Sequence, residues 1–397
     1  EVIWEGLSES EMPDIQAIIQ VNTFKILYAA DPKIYEAKVH LNELFGKKYP
    51  ESFSADKMSY YEDSADELAV INYTSGTSGF SKGVMIPYRA IFSNLEFGKK
   101  VLPGLDNKKS VVSMLPSAHM YGLMFELLYE LSVGAHVHFL SRVPSPKIIM
   151  QAMSEVKPYL VIAVPLVIEK IYKSKVKPIL EKEGVRVLMK LPVLSQMVMN
   201  KIREELVNAF GGEFYQVIIG GAALNYSVAK FFCALGINTT QGYGLTEYCP
   251  IISISHCEGN HPETVGLPIR NCEVRAGAND ELQVRGPSVM SGYWNKPKET
   301  AETFTPDGWL KTGDQVDLSD GGRVRIKGRI KEIVVTSTGE KISPVDLEFA
   351  IQEDHIFDQV MIVGEARPYI TALVVVNDQL FDSWLVQLFF LNLYAWS

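Results

Sequence analysis

The sequence is poor in cysteine, and it has no excess of positive charge. Four cysteines occur in 397 residues, at spacings of 16, 8 and 15, which match neither a zinc pattern nor a CxxC redox pair. We therefore expect reduced thiols, as in the cytoplasm. Acidic residues outnumber basic ones by 47 to 38 and give a formal net charge of −9. Because nucleic-acid binding normally needs a basic excess, this balance argues against a nucleic-acid partner.

The amino-acid sequence predicts neither a leader peptide nor a membrane-spanning segment. The first residues, Glu1–Glu5, have no basic start and no apolar core, which favours a cytoplasmic protein. The most apolar run, Trp384–Trp396, has thirteen residues without charge, fewer than the roughly 17–25 that span a bilayer. We interpret this run as part of a core whose partners are missing, in a chain truncated at both ends; an interfacial anchor and a sequencing artefact are the alternatives.

Apolar residues make up 47% of the chain, enough to offset the entropy of ordering a packed core, which excludes disorder as the main state. Leu68–Tyr73 and Tyr159–Val164 are predicted to be buried strands. Pro146–Val156 and Val185–Phe210 are predicted to be helices. The methionines of the second helix, Met189, Met197 and Met199, are expected to pack in the core rather than to form a lipid-facing surface. The alternation of strands and helices predicts an α/β fold with layered, mixed or largely parallel sheets.

After Asn260 the pattern changes to short strands separated by turns, which predicts a β-rich subdomain. From Arg323 to Lys331 five basic residues alternate with Val, Ile and Gly, and a period of two puts all five on one face of a strand. We interpret most of this face as solvated. A domain boundary is expected near Lys331. Residues 1–330 then form a large N-terminal domain, and residues 331–397 begin a small, incomplete α+β C-terminal domain.

The strongest local pattern is Tyr73–Val84, which reads YTSGTSGFSKGV. Its glycines let the backbone approach a ligand closely, its hydroxyl side chains add donors, and Lys82 adds a point charge. After a predicted strand, this composition indicates a loop that binds a polyphosphate. The spacing is not that of Walker A. The candidate loop residues are Thr74, Ser75, Gly76, Thr77, Ser78 and Gly79.

This loop resembles the signature YTSGTTGxPKGV of the acyl- and aryl-CoA synthetase superfamily, whose members are adenylate-forming, AMP-binding enzymes; Ser78 and Ser81 depart from that signature. Four further stretches match the family in order, and the resemblance runs from about Asp66 to about Val376. They are LPSAHMYG with His119, Gly220-Gly221-Ala222 followed by QGYGLTE at 241–247, GWLKTGD with Asp314, and GRIKE with Arg329 and Lys331, followed by Thr338-Gly339-Glu340.

Several of these residue types suit a nucleotide on chemical grounds. Tyr243 can stack on adenine, Glu247 can hold Mg²⁺ beside phosphates, and Asp314 can accept two ribose hydroxyls. The resemblance implies the remaining roles, with His119 near the carboxylate substrate and Lys331 at a hinge. The implied nucleotide-binding residues are the loop residues above together with Gly220, Gly221, Ala222, Gln241, Gly242, Tyr243, Gly244, Asp314 and Arg329. The implied catalytic residues are Lys82, His119, Thr246, Glu247 and Lys331, with Glu247 also as metal ligand.

The reaction implied by the resemblance is that of an acid–thiol ligase in fatty acid metabolism. A carboxylate attacks the α-phosphorus of ATP in the presence of Mg²⁺, and CoA then displaces AMP to give a thioester. The stretch Val164–Tyr172 resembles VPRVYEKIY of bacterial long-chain fatty-acyl-CoA synthetases, with Leu166 in place of the Arg. We therefore expect a medium- to long-chain fatty acid as substrate, and peripheral membrane contact stays open.

Two departures from the family leave alternatives open. Only 72 residues precede Tyr73, where the family usually has well over a hundred, and the family's late catalytic lysine has no matching position. We expect weak or no adenylation from the 397-residue chain by itself. The first alternative is a fatty-acyl-AMP ligase that feeds an acyl carrier protein, and the second is a degenerate, non-catalytic binder of nucleotide or acyl groups.

Overall fold

The computed structural model describes residues 14–20, 22–50, 54, 56, 58–59, 62–74, 81–102, 104–140, 144–256, 263–352, 354, 356–377 and 380–381. The chain divides into two compact units, Glu1–Asp63 and Ser64–Ser397. This division does not bear on the boundary expected near Lys331, which stays a prediction.

The smaller unit contains a two-stranded antiparallel sheet and two helices. Ala17 pairs with Ala29 across the sheet. Neither described helix buries a residue, and apolar side chains such as Val39, Leu44 and Phe45 are exposed on them. The elements are β1 (Ala17–Ile19), β2 (Ile26–Ala29), α1 (Lys33–Val39) and α2 (Leu41–Lys48).

The larger unit begins with a β-hairpin and continues as alternating strands and helices. Its elements up to residue 219 are β3 (Leu68–Thr74), β4 (Lys82–Pro87), α3 (Tyr88–Val101), β5 (Ser110–Ser113), α4 (Met120–Leu123), a π-helical turn (Met124–Leu128), α5 (Tyr129–Val133), β6 (His136–Phe139), α6 (Pro146–Val156), β7 (Leu160–Ala163), α7 (Pro165–Ile171), a second π-helical turn (Tyr172–Val176), α8 (Lys177–Leu180), α9 (Glu183–Leu188), α10 (Pro192–Ala209) and β8 (Gln216–Ile219).

The rest of the larger unit is richer in strands. Its elements are α11 (Tyr226–Ala234), β9 (Thr239–Gly244), a 3-10 turn (Thr246–Tyr248), β10 (Ile251–His256), β11 (Leu267–Pro268), β12 (Glu273–Ala276), a 3-10 turn (Ala278–Asp280), β13 (Glu281–Arg285), β14 (Gly292–Tyr293), α12 (Pro297–Thr303), β15 (Leu310–Asp317), β16 (Arg325–Arg329), a 3-10 turn (Ile330–Glu332), β17 (Val334–Val335), β18 (Lys341–Ile342), α13 (Pro344–Gln352), β19 (Phe357–Val363) and β20 (Thr371–Val376).

A seven-stranded sheet forms the centre of the larger unit, in the order β11-β10-β9-β8-β7-β5-β6. The five strands from β9 to β6 are parallel, and β10 and β11 continue the sheet antiparallel. Every residue of β7 is buried, and its side chains alternate between two cores. Leu160 and Ile162 join one hydrophobic cluster, whereas Val161 and Ala163 join the other. The sheet is therefore covered on both faces, as parallel sheets require, and the predicted α/β fold is confirmed.

The remaining strands form antiparallel sheets, as the turn-rich sequence after Asn260 predicts. The orders are β14-β4-β3 and β12-β13-β15-β16, with two further pairs, β17-β18 and β19-β20. The first of these sheets joins strands far apart in the chain, since Gly292 and Tyr293 pair with Met85 and Val84.

Four expectations from the sequence need correction. The predicted strand of five basic residues is shorter, because β16 covers Arg325–Arg329 only and Lys331 lies in the following turn. Lys82 belongs to β4, where it pairs with Thr74, and not to the loop between the strands. Cys233 is disulfide-bonded, which contradicts the expectation of four reduced thiols. Met197 is 64% exposed, so the expectation that it packs in the core is wrong.

Two glutamates one helical turn apart are fully buried beneath the central sheet. Glu126 and Glu130 both have no exposed surface. Burial raises the pKa of Glu126 to about 7 and that of Glu130 to about 9. Within the described part of the chain, neither carboxylate oxygen of Glu130 has a hydrogen-bond partner. Ionising Glu130 in the folded protein is therefore unfavourable.

Stability should fall with rising pH because of Glu130. A carboxyl whose pKa is higher in the folded state than in the unfolded state stabilises the fold fully at pH values below its unfolded-state pKa. This stabilisation is lost as the pH rises towards the folded-state pKa. Glu130→Gln, which cannot ionise, should match the parent near pH 5. Its advantage in free energy of unfolding should then grow by up to about 1.4 kcal/mol per pH unit towards pH 9.

Urea unfolding between pH 5 and 8 measures this difference. Glu204→Gln, the same substitution at an exposed position on α10, is the matched control. A constant offset for Glu130→Gln across this range would show that Glu130 does not titrate as described.

Candidate functional site

The residues predicted to bind nucleotide and metal form two groups along one segment of chain. Strand β9 ends at Gly244, and a 3-10 turn carries Thr246 and Glu247 before the chain returns as β10. Tyr243 belongs to the first group and Glu247 to the second. The QGYGLTE stretch therefore joins both groups through continuous backbone.

The first group contains Tyr243, Asp314 and Arg329. The Tyr243 hydroxyl donates to Asp314 Oδ2 at 2.5 Å, and Arg329 Nε lies 2.9 Å from Asp314 Oδ1. Asp314 and Arg329 are cross-strand partners on β15 and β16, which is why the two side chains meet. Asp314 is only 4% exposed, and burial raises its pKa while Arg329 lowers it. The group is thus a buried acceptor held by two donors.

The backbone before Asp314 is fixed by side chains of the same sheet. The Thr312 hydroxyl donates to the carbonyl of Leu282 at 2.9 Å and accepts from the Asp314 N–H at 3.1 Å. Gly313 has φ +75, a conformation that favours glycine, and its N–H donates to Glu281 Oε1 at 3.1 Å. These contacts explain why threonine, glycine and aspartate follow one another at positions 312–314 of β15.

The second group contains Lys82, Tyr293 and Glu247. The Tyr293 hydroxyl donates to Glu247 Oε1 at 2.8 Å, and Lys82 Nζ lies 4.7 Å from the centre of the Tyr293 ring, within the range of a cation–π contact. Burial raises the pKa of Asp314 most, and the charges of Glu332 and then Glu247 make smaller contributions in the same direction.

Sequence reasoning missed Tyr293, which lies between the predicted lysine and the predicted metal ligand. Its neighbours in space come from β4 and from the turn after β9, more than 40 residues away in the chain. The sequence feature that could have pointed to Tyr293 is the aromatic pair Tyr293-Trp294, which follows Gly292 directly and precedes a helix.

The predicted glycines lie in different surroundings, some crowded and some open. A Cβ at Gly244 would be 1.7 Å from the carbonyl oxygen of Pro250, so β9 and β10 approach here as only glycine permits. A Cβ at Gly242 would meet nothing within 4 Å, which leaves open space against the backbone. Gly221 has φ +86. Gly220 faces the Tyr121 ring, whose Cζ would be 3.2 Å from an added Cβ.

His119 lies on an anchored loop and is exposed. The Glu126 carboxylate accepts from the backbone N–H groups of Met114 and Leu115 at 3.0 and 2.7 Å, where β5 leads into this loop. At its other end Asn72 Nδ2 donates to the carbonyl of Ala118 at 2.8 Å. Glu126 and Asn72 are thus further positioning residues that the sequence did not reveal, because their partners are backbone groups of other elements.

The structure brings together only part of the predicted set. Lys82, Tyr243, Glu247, Asp314 and Arg329 are linked by the contacts above. Thr246 precedes Glu247 in the same turn, Gln241 lies in β9, Ala222 is exposed after β8, and Lys331 is exposed in the turn after β16. Thr74 ends β3. The predicted loop residues Ser75, Gly76, Thr77, Ser78 and Gly79 lie outside the described residues.

The residues present fit a nucleotide that binds as its magnesium complex. Among the described residues no group of three acidic, His or Cys side chains could hold a metal ion. Glu247 has one oxygen bonded to Tyr293 and a second that could serve Mg²⁺, which commonly takes few protein carboxylates and completes its shell with phosphates and water. The Asp314 carboxylate has more acceptor positions than its two partners use, which suits hydroxyl donors.

Comparison with known proteins agrees with this chemistry. The model of the AMP-binding enzyme family matches residues 11–294, and the model of the AMP-binding enzyme C-terminal domain matches residues 331–387. The long-chain-fatty-acid–CoA ligase FadD15 of Mycobacterium bovis is 30% identical over 344 residues, which cover 80% of this chain and 55% of the relative. The long-chain-fatty-acid–[acyl-carrier-protein] ligase AEE15 of Arabidopsis thaliana, a chloroplastic protein, is 26% identical over 397 aligned residues, which cover 83% of this chain and 54% of the relative.

Solved structures share the fold. ATP-bound MatB from Rhodopseudomonas palustris superposes with a TM-score of 0.66 at 22% identity, covering 82% of this chain and 61% of that one. The o-succinylbenzoate-CoA synthetase MenE of Bacillus subtilis, in complex with its acyl-adenylate intermediate, gives 0.65 at 20% identity, covering 87% and 67%. This chain spans about half the length of the curated relatives it matches.

Among the helices formed by the described residues, none combines the length and the apolar character that crossing a bilayer requires.

Proposed function

Because this chain belongs to the AMP-binding enzyme family, we propose that it is part of an ATP-dependent acid–thiol ligase acting on fatty acids. A fatty carboxylate attacks the α-phosphorus of ATP, and pyrophosphate leaves. The resulting acyl-adenylate is then attacked by the thiol of CoA, which releases AMP and forms the thioester. The single observation that carries the proposal is that one short segment of backbone, from Tyr243 to Glu247, joins the Asp314 group to the Glu247 group.

The two groups suit the two ends of a nucleotide. The buried Asp314 carboxylate, held by Arg329, would accept the ribose hydroxyls. Glu247 would hold the magnesium that accompanies ATP, which neutralises phosphate charge when bound. Lys82 sits on the Tyr293 ring next to Glu247, so its charge is placed to favour the phosphates. Open space against Gly242 would accept the flat adenine beside Tyr243.

We assign roles to His119 and Lys331 from their positions in the chain. The anchored loop that carries His119 follows the carboxyl end of β5, where ligands of α/β sheets usually bind, and His119 would contact the carboxylate substrate. The match to the C-terminal-domain model begins at residue 331. We place the hinge at Lys331, and turning about it would present a second face of the small domain to the thiol step.

Chain length and acceptor are the finer parts of the proposal. A long-chain fatty acid is supported by the relative FadD15, named for that substrate, and by the VPLVIEKIY stretch. The relative AEE15 is named for an acyl-carrier-protein acceptor, so a ligase that feeds a carrier protein is the second candidate function.

The test is acid-dependent conversion of ATP to AMP by the full-length product of the gene that encodes this chain. Reactions are run with fatty acids of increasing chain length, with and without CoA or an acyl carrier protein, and their products are identified by mass spectrometry. Acyl-CoA formed from long acids is the expected result. Acyl-adenylate that only a carrier protein consumes would favour the second candidate. ATP binding without AMP from any acid would overturn both and leave a non-catalytic binder.

A further inference from the structure

Arg89, in the first turn of α3, holds a segment that lies about 200 residues further along the chain. Its Nη1 donates to the carbonyl of Pro287 at 2.6 Å and to that of Val289 at 2.9 Å, and its Nε lies 2.7 Å from Asp66 Oδ1. Hydrogen bonds from a charged donor are stronger than those from a neutral one. The guanidinium therefore fixes the backbone of residues 287–289.

The same helix anchors this region a second time, through Asn94. This side chain is fully buried, and its Nδ2 donates to Ser288 Oγ at 3.0 Å. Its Oδ1 accepts from the N–H of Ile251 at 3.4 Å, where β10 begins after the turn that carries Glu247. Helix α3 thus contacts both the segment that precedes β14 and the strand that follows Glu247.

The segment held by Arg89 leads directly to Glu247. The N–H of Met290 donates to the backbone carbonyl of Glu247 at 2.9 Å, and the Tyr293 hydroxyl donates to its carboxylate at 2.8 Å. The Tyr293 backbone is itself fixed, because its N–H donates to Thr300 Oγ1 on α12 at 2.9 Å. Residues 290–293 therefore orient both the backbone and the side chain of Glu247.

We propose that Arg89 is a positioning residue for Glu247, which it holds through the backbone of residues 287–293. The inference rests on the proposed role of Glu247 as the ligand of the magnesium that accompanies ATP. Mg²⁺ demands near-ideal octahedral geometry, and the groups that orient a metal ligand strongly affect metal affinity. Without the guanidinium, Glu247 keeps its charge but loses its fixed orientation, whereas the contacts of Asp314 with Tyr243 and Arg329 are untouched.

The experiment compares three variants of the full-length protein, Arg89→Met, Arg89→Lys and Asp66→Asn. Arg89→Met keeps an unbranched stem without a donor, and Arg89→Lys retains a charged donor on a flexible stem. Asp66→Asn is the matched control, because it alters an exposed partner of the same guanidinium and leaves both carbonyl contacts in place. Circular dichroism checks that each variant is folded.

The first measurement, hydrogen–deuterium exchange, needs no ligand. The amide of Met290 should exchange faster in Arg89→Met, since its bond to the Glu247 carbonyl opens more often once the segment is released. Asp66→Asn should exchange like the parent, and Arg89→Lys should lie between the two.

The second measurement is calorimetric binding of ATP over a range of Mg²⁺ concentrations. We expect Arg89→Met to raise the half-saturating Mg²⁺ concentration about fivefold, and ATP binding in EDTA to stay within about twofold of the parent. In a Glu247→Gln background, adding Arg89→Met should cause no further change in the Mg²⁺ dependence, because the carboxylate that it positions is gone.

Parental exchange in Arg89→Met, or faster exchange with a parental Mg²⁺ dependence, would overturn the proposal. An equal loss of ATP binding with Mg²⁺ and with EDTA would also overturn it, because that result means general destabilisation. A parent protein whose ATP binding does not depend on Mg²⁺ would instead overturn the proposed role of Glu247 as metal ligand, and this inference with it.

Discussion

Replacing Gly244 by alanine is expected to lower the free energy of unfolding by about 3 kcal/mol or more, which is a large effect for one methyl group. The added Cβ would be 1.7 Å from the carbonyl oxygen of Pro250 and 2.6 Å from its carbon. Both atoms are backbone, so no side chain can rotate away. The same oxygen accepts from the Leu245 N–H at 2.9 Å, and separating β9 from β10 would break this bond.

The control for this prediction lies two residues earlier on the same face of β9. Gly242→Ala adds the same methyl group where nothing lies within 4 Å, and we expect a change below about 1 kcal/mol. Urea unfolding of both variants measures the difference. Equal stability of the two would mean that β9 and β10 are not as close as described.

Replacing Glu247 by glutamine in the full-length protein is expected to lower acid-dependent AMP formation at least about 100-fold. The amide oxygen of glutamine can still accept from the Tyr293 hydroxyl, now 2.8 Å from Glu247 Oε1, so the local structure should persist. What is lost is the negative charge that would hold magnesium beside the phosphates.

Tyr293→Phe is the complementary variant. It keeps the charge of Glu247 and the ring beneath Lys82 but removes the hydroxyl. We expect a smaller loss of rate, about fivefold, because one hydrogen bond contributes roughly 1 kcal/mol. Rates are read as AMP released over a range of Mg²⁺ concentrations. If Glu247→Gln kept most of the parental rate at every Mg²⁺ concentration, Glu247 would not be the metal ligand.

The boundaries of one helix follow from local chemistry and could be predicted from the sequence, whereas the predicted helix Val185–Phe210 is two helices, Glu183–Leu188 and Pro192–Ala209. Helix α6 starts at Pro146 behind Ser145, whose side chain accepts from the Ile148 N–H, a normal helix start. The predicted range Pro146–Val156 matches the structure. Family membership could also be predicted, because the motif stretches are short and contiguous.

Contacts between segments that are distant in the chain could not be predicted from the sequence. Tyr293 meets Glu247 only because β14 pairs with β4, and Glu126 reaches the backbone after β5 from a π-helical turn. Periodicity tells which face of an element is apolar but not which strands become neighbours.

The sequence by itself determined the element types, the α/β class and the residues that carry the family resemblance, since these depend on composition and on spacing within a few residues. Only the tertiary structure decided that Asp314 is buried between Tyr243 and Arg329, that Glu130 lies without a partner in the described part of the chain, and that Met197 faces outwards. Burial and pairing depend on sheet order and on what covers each face, and both arise only when distant parts of the chain pack together.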